Sequence, residues 1–481
     1  MNAHAADPKR WKALAVLGVA YLMVVLDVAI VNVALPSIQS DLDFSSTENL
    51  QWVVSGYALT FGGLLLLGGR AGDILGRRRI FMVGLALFAL FSLLCGLATS
   101  SSMLIAMRAL QGAAGAVLSP SVFSITSVTF EEGAERNKAL GILGAIAGSG
   151  AAIGVLLGGV LTEYAGWEWI FFVNVPIGVA ALALVPLYVR ESRAADLARY
   201  FDAWGAVSVT TGLMLFVYAL TRAPSVGWTS AEVIGAFVGW AILTAVFIVI
   251  ELRSHSPLVP LAIFKRRTLT GSNVIGFLLG VTIFGMFFLL SLYMQNVLGF
   301  SAVKTGVGYL AVALTAVVAS GVAQALVTRA GVKPVLAVGM FLLAGGLAYF
   351  TQISVDGSYF GDLFIGFILI GIGLGFSFVP VSIAALAGAT DKEAGLQSGL
   401  INTNQQVGGA LGLAILITVA TTRQNHLLDN GVARASALTQ SFSLAFWVGV
   451  GFALVGLAAT LVLLKRDDLR DVVPEPAAES A

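Results

Sequence analysis

Gly69-Arg70-Ala71-Gly72-Asp73-Ile74-Leu75-Gly76-Arg77-Arg78-Arg79 sets one acid, four arginines and three glycines between two long apolar runs. Each flanking run is long enough to cross a bilayer as a helix. A short loop this basic between two spans belongs on the cytoplasmic side. Its glycines, Gly69, Gly72 and Gly76, let helix ends approach closely. Asp73 is read as sitting just before the next helix, where the helix dipole favours a negative charge.

Apolar runs of similar length recur over nearly the whole chain. The sequence has 481 residues, of which 58% are hydrophobic and 11% charged, whereas a soluble domain carries about 25% charged residues. The pattern predicts an all-α polytopic membrane protein with fourteen spans, roughly 13–35, 52–69, 80–98, 103–127, 138–161, 169–189, 203–222, 231–251, 271–293, 306–327, 333–353, 361–386, 400–422 and 441–464. The basic residues test this map. With both termini cytoplasmic, only Arg222, Lys304, Arg423 and Arg434 of the 27 Lys and Arg fall outside and only Arg108 falls within a span. A bias this strong supports an even number of spans and a cytoplasmic N-terminus. Lys9, Arg10 and Lys12 precede a first span too long for a signal peptide, so that span is expected to remain as an anchor.

The chain divides into a cytoplasmic N-terminus (1–12), a six-helix bundle (13–189), a linker with two additional spans (190–265), a second six-helix bundle (266–464) and a cytoplasmic tail (465–481). The tail is rich in Pro, Ala and Glu and is expected to be disordered. Paired halves fit the repeat logic of secondary transporters. Arg329-Ala330-Gly331-Val332-Lys333-Pro334 in the second half is a faint copy of the opening run. A net charge of +1 gives no reason to expect a nucleic-acid partner. The single cysteine, Cys95, rules out an internal disulfide and a thiol-ligated metal cluster. No Walker-type run, metal-spaced histidine cluster or nucleophile elbow appears, so neither an enzyme nor a cofactor is expected, and ATP-driven transport is disfavoured.

Asp27 lies in the middle of span 1, in Leu26-Asp27-Val28-Ala29-Ile30-Val31-Asn32. A charge at that depth costs roughly 2.5–3.5 kcal/mol on insertion scales. The bland account is a neutral acid hydrogen-bonded within the bundle, and the functional one is proton exchange or cation binding. Arg108 in span 4 cannot shed its charge, so it needs a partner or a watery cavity, unless it snorkels to the near surface. Gln111 shares its face at three residues' distance. Span 5 carries Gly144, Gly148, Gly150, Gly154, Gly158 and Gly159, a spacing that lets helices pack closely in lipid. In span 13, Asn402, Gln405, Gln406 and Gly409 fall near one face, suited either to helix-to-helix hydrogen bonding or to lining a substrate cavity. Glu251, Asp202 and Glu232 lie at span ends, where solvation is expected.

Several of these segments carry a family resemblance. The opening run resembles the signature loop between spans 2 and 3 of the major facilitator superfamily, with Ala71 where leucine is usual and Ile74 where a basic residue is usual. Arg108-x-x-Gln111-Gly112 resembles a superfamily signature linked to proton transfer. The span 5 glycines resemble the antiporter signature, with Val155 where a proline usually stands. Trp167-Glu168-Trp169-Ile170-Phe171-Phe172-Val173-Asn174-Val175-Pro176 resembles a further family segment, and its aromatics fit the membrane interface. With fourteen spans the chain resembles the drug:proton antiporter branch.

That resemblance implies two halves rocking about a central cavity. Asp73 with Arg77 and Arg78 would form an inner gate, and Asp27 and Arg108 would couple to protons. Gln111, Asn402, Gln405 and Gln406 would line the cavity. The implied activity is proton-coupled efflux of small lipophilic or monocationic drugs across the plasma membrane, by a monomer in the lipid bilayer. A symporter or a dedicated metabolite exporter of the same fold, and a non-transporting membrane sensor, remain alternatives.

Overall fold

A computed structural model describes residues 8–42, 44, 47–131, 133–193, 202–254, 257–387 and 393–464. The expected disordered tail, 465–481, lies outside the described residues, as do parts of the N-terminal segment and of the linker. Among the described residues the regular structure is helical throughout. The helices are α1 Arg10–Asp41, α2 Thr47–Leu75, α3 Arg77–Gly96, α4 Ser101–Thr129, α5 Ala134–Tyr164, α6 Trp169–Tyr188 and α7 Ala203–Val226. They continue as α8 Ala231–Arg253, α9 Arg267–Asn296, α10 Val303–Ala330, α11 Val332–Phe350, α12 Tyr359–Leu386, α13 Ala394–Asp429 and α14 Arg434–Leu463. Thirteen of them are long and apolar enough to cross a membrane. The fourteenth, α5, is a 31-residue helix at the fifth expected position.

Most helices run past the apolar core into the flanking charged residues, because nothing in those residues breaks a helix. The opening run shows this most clearly. Helix α2 continues to Leu75, and only Gly76, at φ 112°, separates it from α3. That left-handed backbone suits glycine and makes the turn abrupt. Asp73 therefore lies inside α2 rather than just ahead of α3, and it serves a different helix N-terminus, described below.

Within the first half α1 packs on α5, and α4 packs on both α2 and α3. Within the second, α9 packs on α13 and α14, while α12 packs on α10 and α11. The halves meet where α5 touches α10 and α12, and where α13 touches α2 and α4. Helices α7 and α8 pair with each other, and α7 also lies against α2 and α13, along one of the two junctions. Helix α8 turns Ile234, Val238, Ile242 and Val249 outward. An exposed apolar face of this length calls for lipid rather than water.

Close contacts are made through glycine. Gly150, Gly154 and Gly158 of α5 sit against Val25, Leu26, Ala29 and Ile30 of α1, whereas Gly141 and Gly144 face Gln324 and Val379 of the other half. Gly408 and Gly412 of α13 press on the backbone of Phe277 and Val281 in α9. Without a hydrophobic drive between helices in lipid, such van der Waals contact carries the association.

The acids at span ends are not simply solvated. Glu251 is 5% exposed and accepts the backbone N–H groups of Leu258 and Val259, each at 3.1 Å. Asp202 caps α7 through the N–H of Gly205 at 2.8 Å. Glu232, more exposed, accepts from Arg222 at 2.8 Å and Tyr218 at 2.6 Å.

A leucine at Gly408 has to push α9 away, whereas Gly321 of α10 faces open space. Gly408→Leu is expected to lower stability by on the order of 1–3 kcal/mol, read as a drop in thermal midpoint in detergent. Gly321→Leu is expected to match the parent. Equal midpoints for the two variants would contradict the packing described.

Candidate functional site

Five helices bring polar groups to one buried point. The Asp27 carboxylate of α1 is 0% exposed and the Arg108 side chain of α4 is 1% exposed. Arg108 Nη1 donates to Asp27 Oδ2 at 2.5 Å and to Gln111 Oε1 at 2.8 Å. Gln111 Nε2 donates to Asp27 Oδ1 at 2.9 Å, and Asn174 Nδ2 of α6 donates to the same oxygen at 3.0 Å. Among the described residues every polar partner of this carboxyl is a donor.

Arg108 is held on its other side as well. Its Nε donates to the carbonyl of Val53 at 3.1 Å, and its guanidinium lies over the Tyr57 ring at 4.3 Å from the centroid. The snorkelling account of Arg108 is therefore excluded: the side chain turns inward to a partner. Gln111 lies in the same shell, and its Oε1 also receives the Cys95 thiol at 3.7 Å. Ile30, Val31, Ala34, Val53, Leu104, Ile170 and Phe171 form an apolar cluster between this point and the C-terminal end of α1.

The opening run builds a second charged site at the far end of α2. Asp73, also 0% exposed, accepts from Arg77 Nη2 at 2.7 Å and Nε at 3.1 Å through Oδ1. Its Oδ2 accepts the backbone N–H of Leu396 at 3.2 Å, in the first turn of α13. The dipole that Asp73 serves belongs to the opposite half of the molecule. Arg77 and Arg78 belong to their own half: Arg78 Nη1 donates to the carbonyl of Val189 at 3.3 Å, and the Arg77 N–H donates to the Ser192 carbonyl at 2.9 Å. Glu191 supplies the cap that Gly76 cannot, accepting the N–H groups of Arg78 and Arg79 at 3.1 and 3.2 Å. A Cβ on Gly399 of α13 would stand 3.2 Å from the Leu65 carbonyl and 3.8 Å from Gly69, which marks how closely the two halves approach here. Gly72 faces Ser121 of α4.

The polar face of α13 is divided. Asn402 receives Ser119 of α4 at 3.4 Å across the junction and donates to the Ser398 carbonyl at 2.8 Å. Gln405 lies along Gly276 of α9, and Gln406 is half-buried. Asn404, outside the expected set, donates to Asn273 at 2.7 Å. Asn174 was missed as a partner of Asp27. Its signal was present in the sequence, an amide among apolar residues near the start of a span, but the aromatics around it drew the reading to the membrane interface.

A membrane-spanning helical bundle in two halves, with a buried ion pair in one and a charged latch joining both, has the build of a secondary transporter. The chain belongs to the Major Facilitator Superfamily, whose sequence profile matches residues 17–413. It is 39% identical over 461 residues to the puromycin resistance protein pur8 of Streptomyces alboniger, covering 95% of this chain and 91% of that protein. It is 40% identical over 410 residues to the cephamycin export protein CmcT of Amycolatopsis lactamdurans, covering 85% and 84%. Among solved structures, the human organic anion transporter MFSD10 (TETRAN) superposes with a TM-score of 0.65 over 93% of this chain and 100% of that one. At 15% identity, this match shows the fold alone.

Removing one member of a buried ion pair leaves the other uncompensated, at a cost of about 3–5 kcal/mol. Arg108→Ala is expected to lower the thermal midpoint sharply, and Arg108→Lys less, since lysine keeps the charge but loses the planar fork. Asp27→Asn combined with Arg108→Ala is expected to recover part of the loss. An Arg108→Ala protein as stable as the parent would mean that Asp27 is carried neutral.

Proposed function

We propose that this protein is a proton-coupled exporter of small lipophilic or monocationic drugs, working by alternating access in the cytoplasmic membrane with both termini inside. The observation that carries the reading is the Asp27–Arg108 pair, fully buried and held by two amides. Burying such a pair is weak evidence for stability as such, and an ionisable group at membrane depth is a functional hypothesis by default. The names of the two bacterial relatives, resistance and export, support a drug-like cargo.

The charges narrow that cargo. Asp27 is already matched by Arg108, so the site has no spare negative charge for a polycation. A neutral or singly charged lipophilic molecule fits better. Protonating Asp27 turns an acceptor into a donor among donors, which frees Arg108 and changes the shell. A ligand or proton that suits one arrangement better shifts the rocking equilibrium by that difference in affinity. At the inner mouth, Asp73 bonded to Leu396 holds the halves together, and the drug leaves toward the outside in exchange for the entering proton.

Asp27→Asn tests the coupling. In sealed vesicles with an imposed pH gradient, the variant is expected to be less stable, because Arg108 is left uncompensated, and the fraction that folds and inserts is expected to lose proton-driven export. Full export with the parent's proton dependence would remove Asp27 from the mechanism.

Asp73→Ala tests the gate. It is expected to slow turnover several-fold while leaving equilibrium drug binding in detergent within about twofold of the parent, because a gate needs a bistable contact rather than complementarity to substrate. Weakened binding with unchanged turnover would place Asp73 at the substrate site instead.

A further inference from the structure

We infer that Asn174, anchored by Ser92, is a positioning residue that keeps a hydrogen-bond donor against the Asp27 carboxyl and so shapes the pH dependence of proton-driven export. The inference rests on the proposed role of Asp27 and adds two residues to it.

Helix α6 has two parts, joined by Val173, which keeps helical dihedrals. A short turn, Trp169–Phe172, precedes the main helix Asn174–Tyr188, with Val173 between them. The short turn is pinned from both sides. Trp167, just before it, donates through Nε1 to Asp41 at 2.9 Å, and Ile170 and Phe171 are fully buried. The first residue of the main helix is Asn174, 2% exposed and aimed at α1. Its Nδ2 stands 3.0 Å from Asp27 Oδ1 and 3.0 Å from Ser92 Oγ of α3. Both amide hydrogens are thereby used.

Ser92 fixes which way that amide points. Its hydroxyl donates to the backbone carbonyl of Phe171 at 2.9 Å, and a carbonyl can only accept. The hydroxyl hydrogen is committed, so the oxygen offers Asn174 a lone pair and nothing else. The Asn174 amide must present its NH2 and cannot turn its oxygen to Asp27 without breaking this bond. The other donors are less constrained in kind: Gln111 could present Oε1 if Arg108 released it. The Asn174 amide is thus oriented by a hydroxyl outside the shell, whereas Gln111 has only the weak Cys95 thiol at 3.7 Å in that role.

A neutral carboxyl needs an acceptor for its O–H, and this face of Asn174 supplies only a donor. A hydrogen bond made to the charged form favours that form. The other ionisable groups facing this point are Arg108 of α4, Tyr57 of α2, whose ring Arg108 covers, and Cys95 of α3, bonded to Gln111. Helix α5 meets this part of α1 through Gly150, Gly154 and Gly158. None of these ionisable groups bonds Oδ1, which Asn174 shares with Gln111 alone among the described residues.

The test measures the pH profile of proton-driven export in sealed vesicles for the parent, Asn174→Ala, Ser92→Ala and Asp27→Asn. A hydrogen bond to a charged group is worth about one pH unit or somewhat more. Asn174→Ala is expected to move the midpoint of export to higher pH by about one unit. Ser92→Ala, which frees the amide to turn, is expected to move it the same way by less. In purified protein, the carboxyl C=O infrared band that Asp27→Asn removes is expected to persist to correspondingly higher pH in both variants. Loss of stability or maximal rate with an unmoved midpoint and band would assign Asn174 to packing alone and overturn the inference. If Asn174→Ala does not fold, the Ser92→Ala profile and band decide, and superposition on the parent overturns it. Full proton-driven export by Asp27→Asn would instead overturn the underlying role of Asp27.

Discussion

The ion pair between Asp27 and Arg108 is the constraint around which the first half is arranged. Neither charge can be buried alone, because the desolvation of each is offset only by the other and by further hydrogen bonds. Meeting that demand uses α1 for the acid, α4 for the base and Gln111, α6 for Asn174, and α2 for the Val53 carbonyl and the Tyr57 ring. Helix α1 also has to come very close to α5, where Gly150, Gly154 and Gly158 provide the room. The small residues of α5 and the charges of α1 and α4 thus serve one geometric end.

The second charged site solves a different problem. Asp73 bonds a side chain of its own half, Arg77, and a backbone N–H of the other half, Leu396. The first bond keeps the acid oriented whatever the opposite half does. The second depends on where α13 stands. An N–H at a helix start is a donor without an intrahelical partner and has a favourable dipole behind it, which suits the contact to the gate proposed for it. Glu191, by capping α3, keeps the local turn intact independently of that contact.

The sequence made the helices legible because lipid imposes one rule, that each span satisfy its own backbone. Hydrophobic length therefore reports structure directly, and the basic residues report sidedness. The two mid-span charges were legible for the same reason, since Asp27 and Arg108 had no cheap place to be. Their pairing was not legible. It is 81 residues apart in sequence and depends on the crossing of α1 with α4. The position of Asp73 was misjudged by a turn, because a charged stretch was equated with a loop although it continues as helix up to Gly76. Asn174 escaped notice because an amide carries no charge to betray it, and its partners Asp27 and Ser92 lie 147 and 82 residues away in sequence.

The apolar cluster of Ile30, Val31, Ala34, Val53, Leu104, Ile170 and Phe171 beside Asp27 has a consequence for leak. Protons move through water files, and a packed hydrocarbon constriction admits no file until it wets. On the proposed role of Asp27, the closed cluster insulates the carboxyl from that side and blocks a proton leak between transport events. Access then requires the cluster to part, a motion of whole helices rather than of single side chains. On that reading hydration and rocking become one event, and the tightness of this packed apolar plug sets how few protons are wasted for each molecule carried.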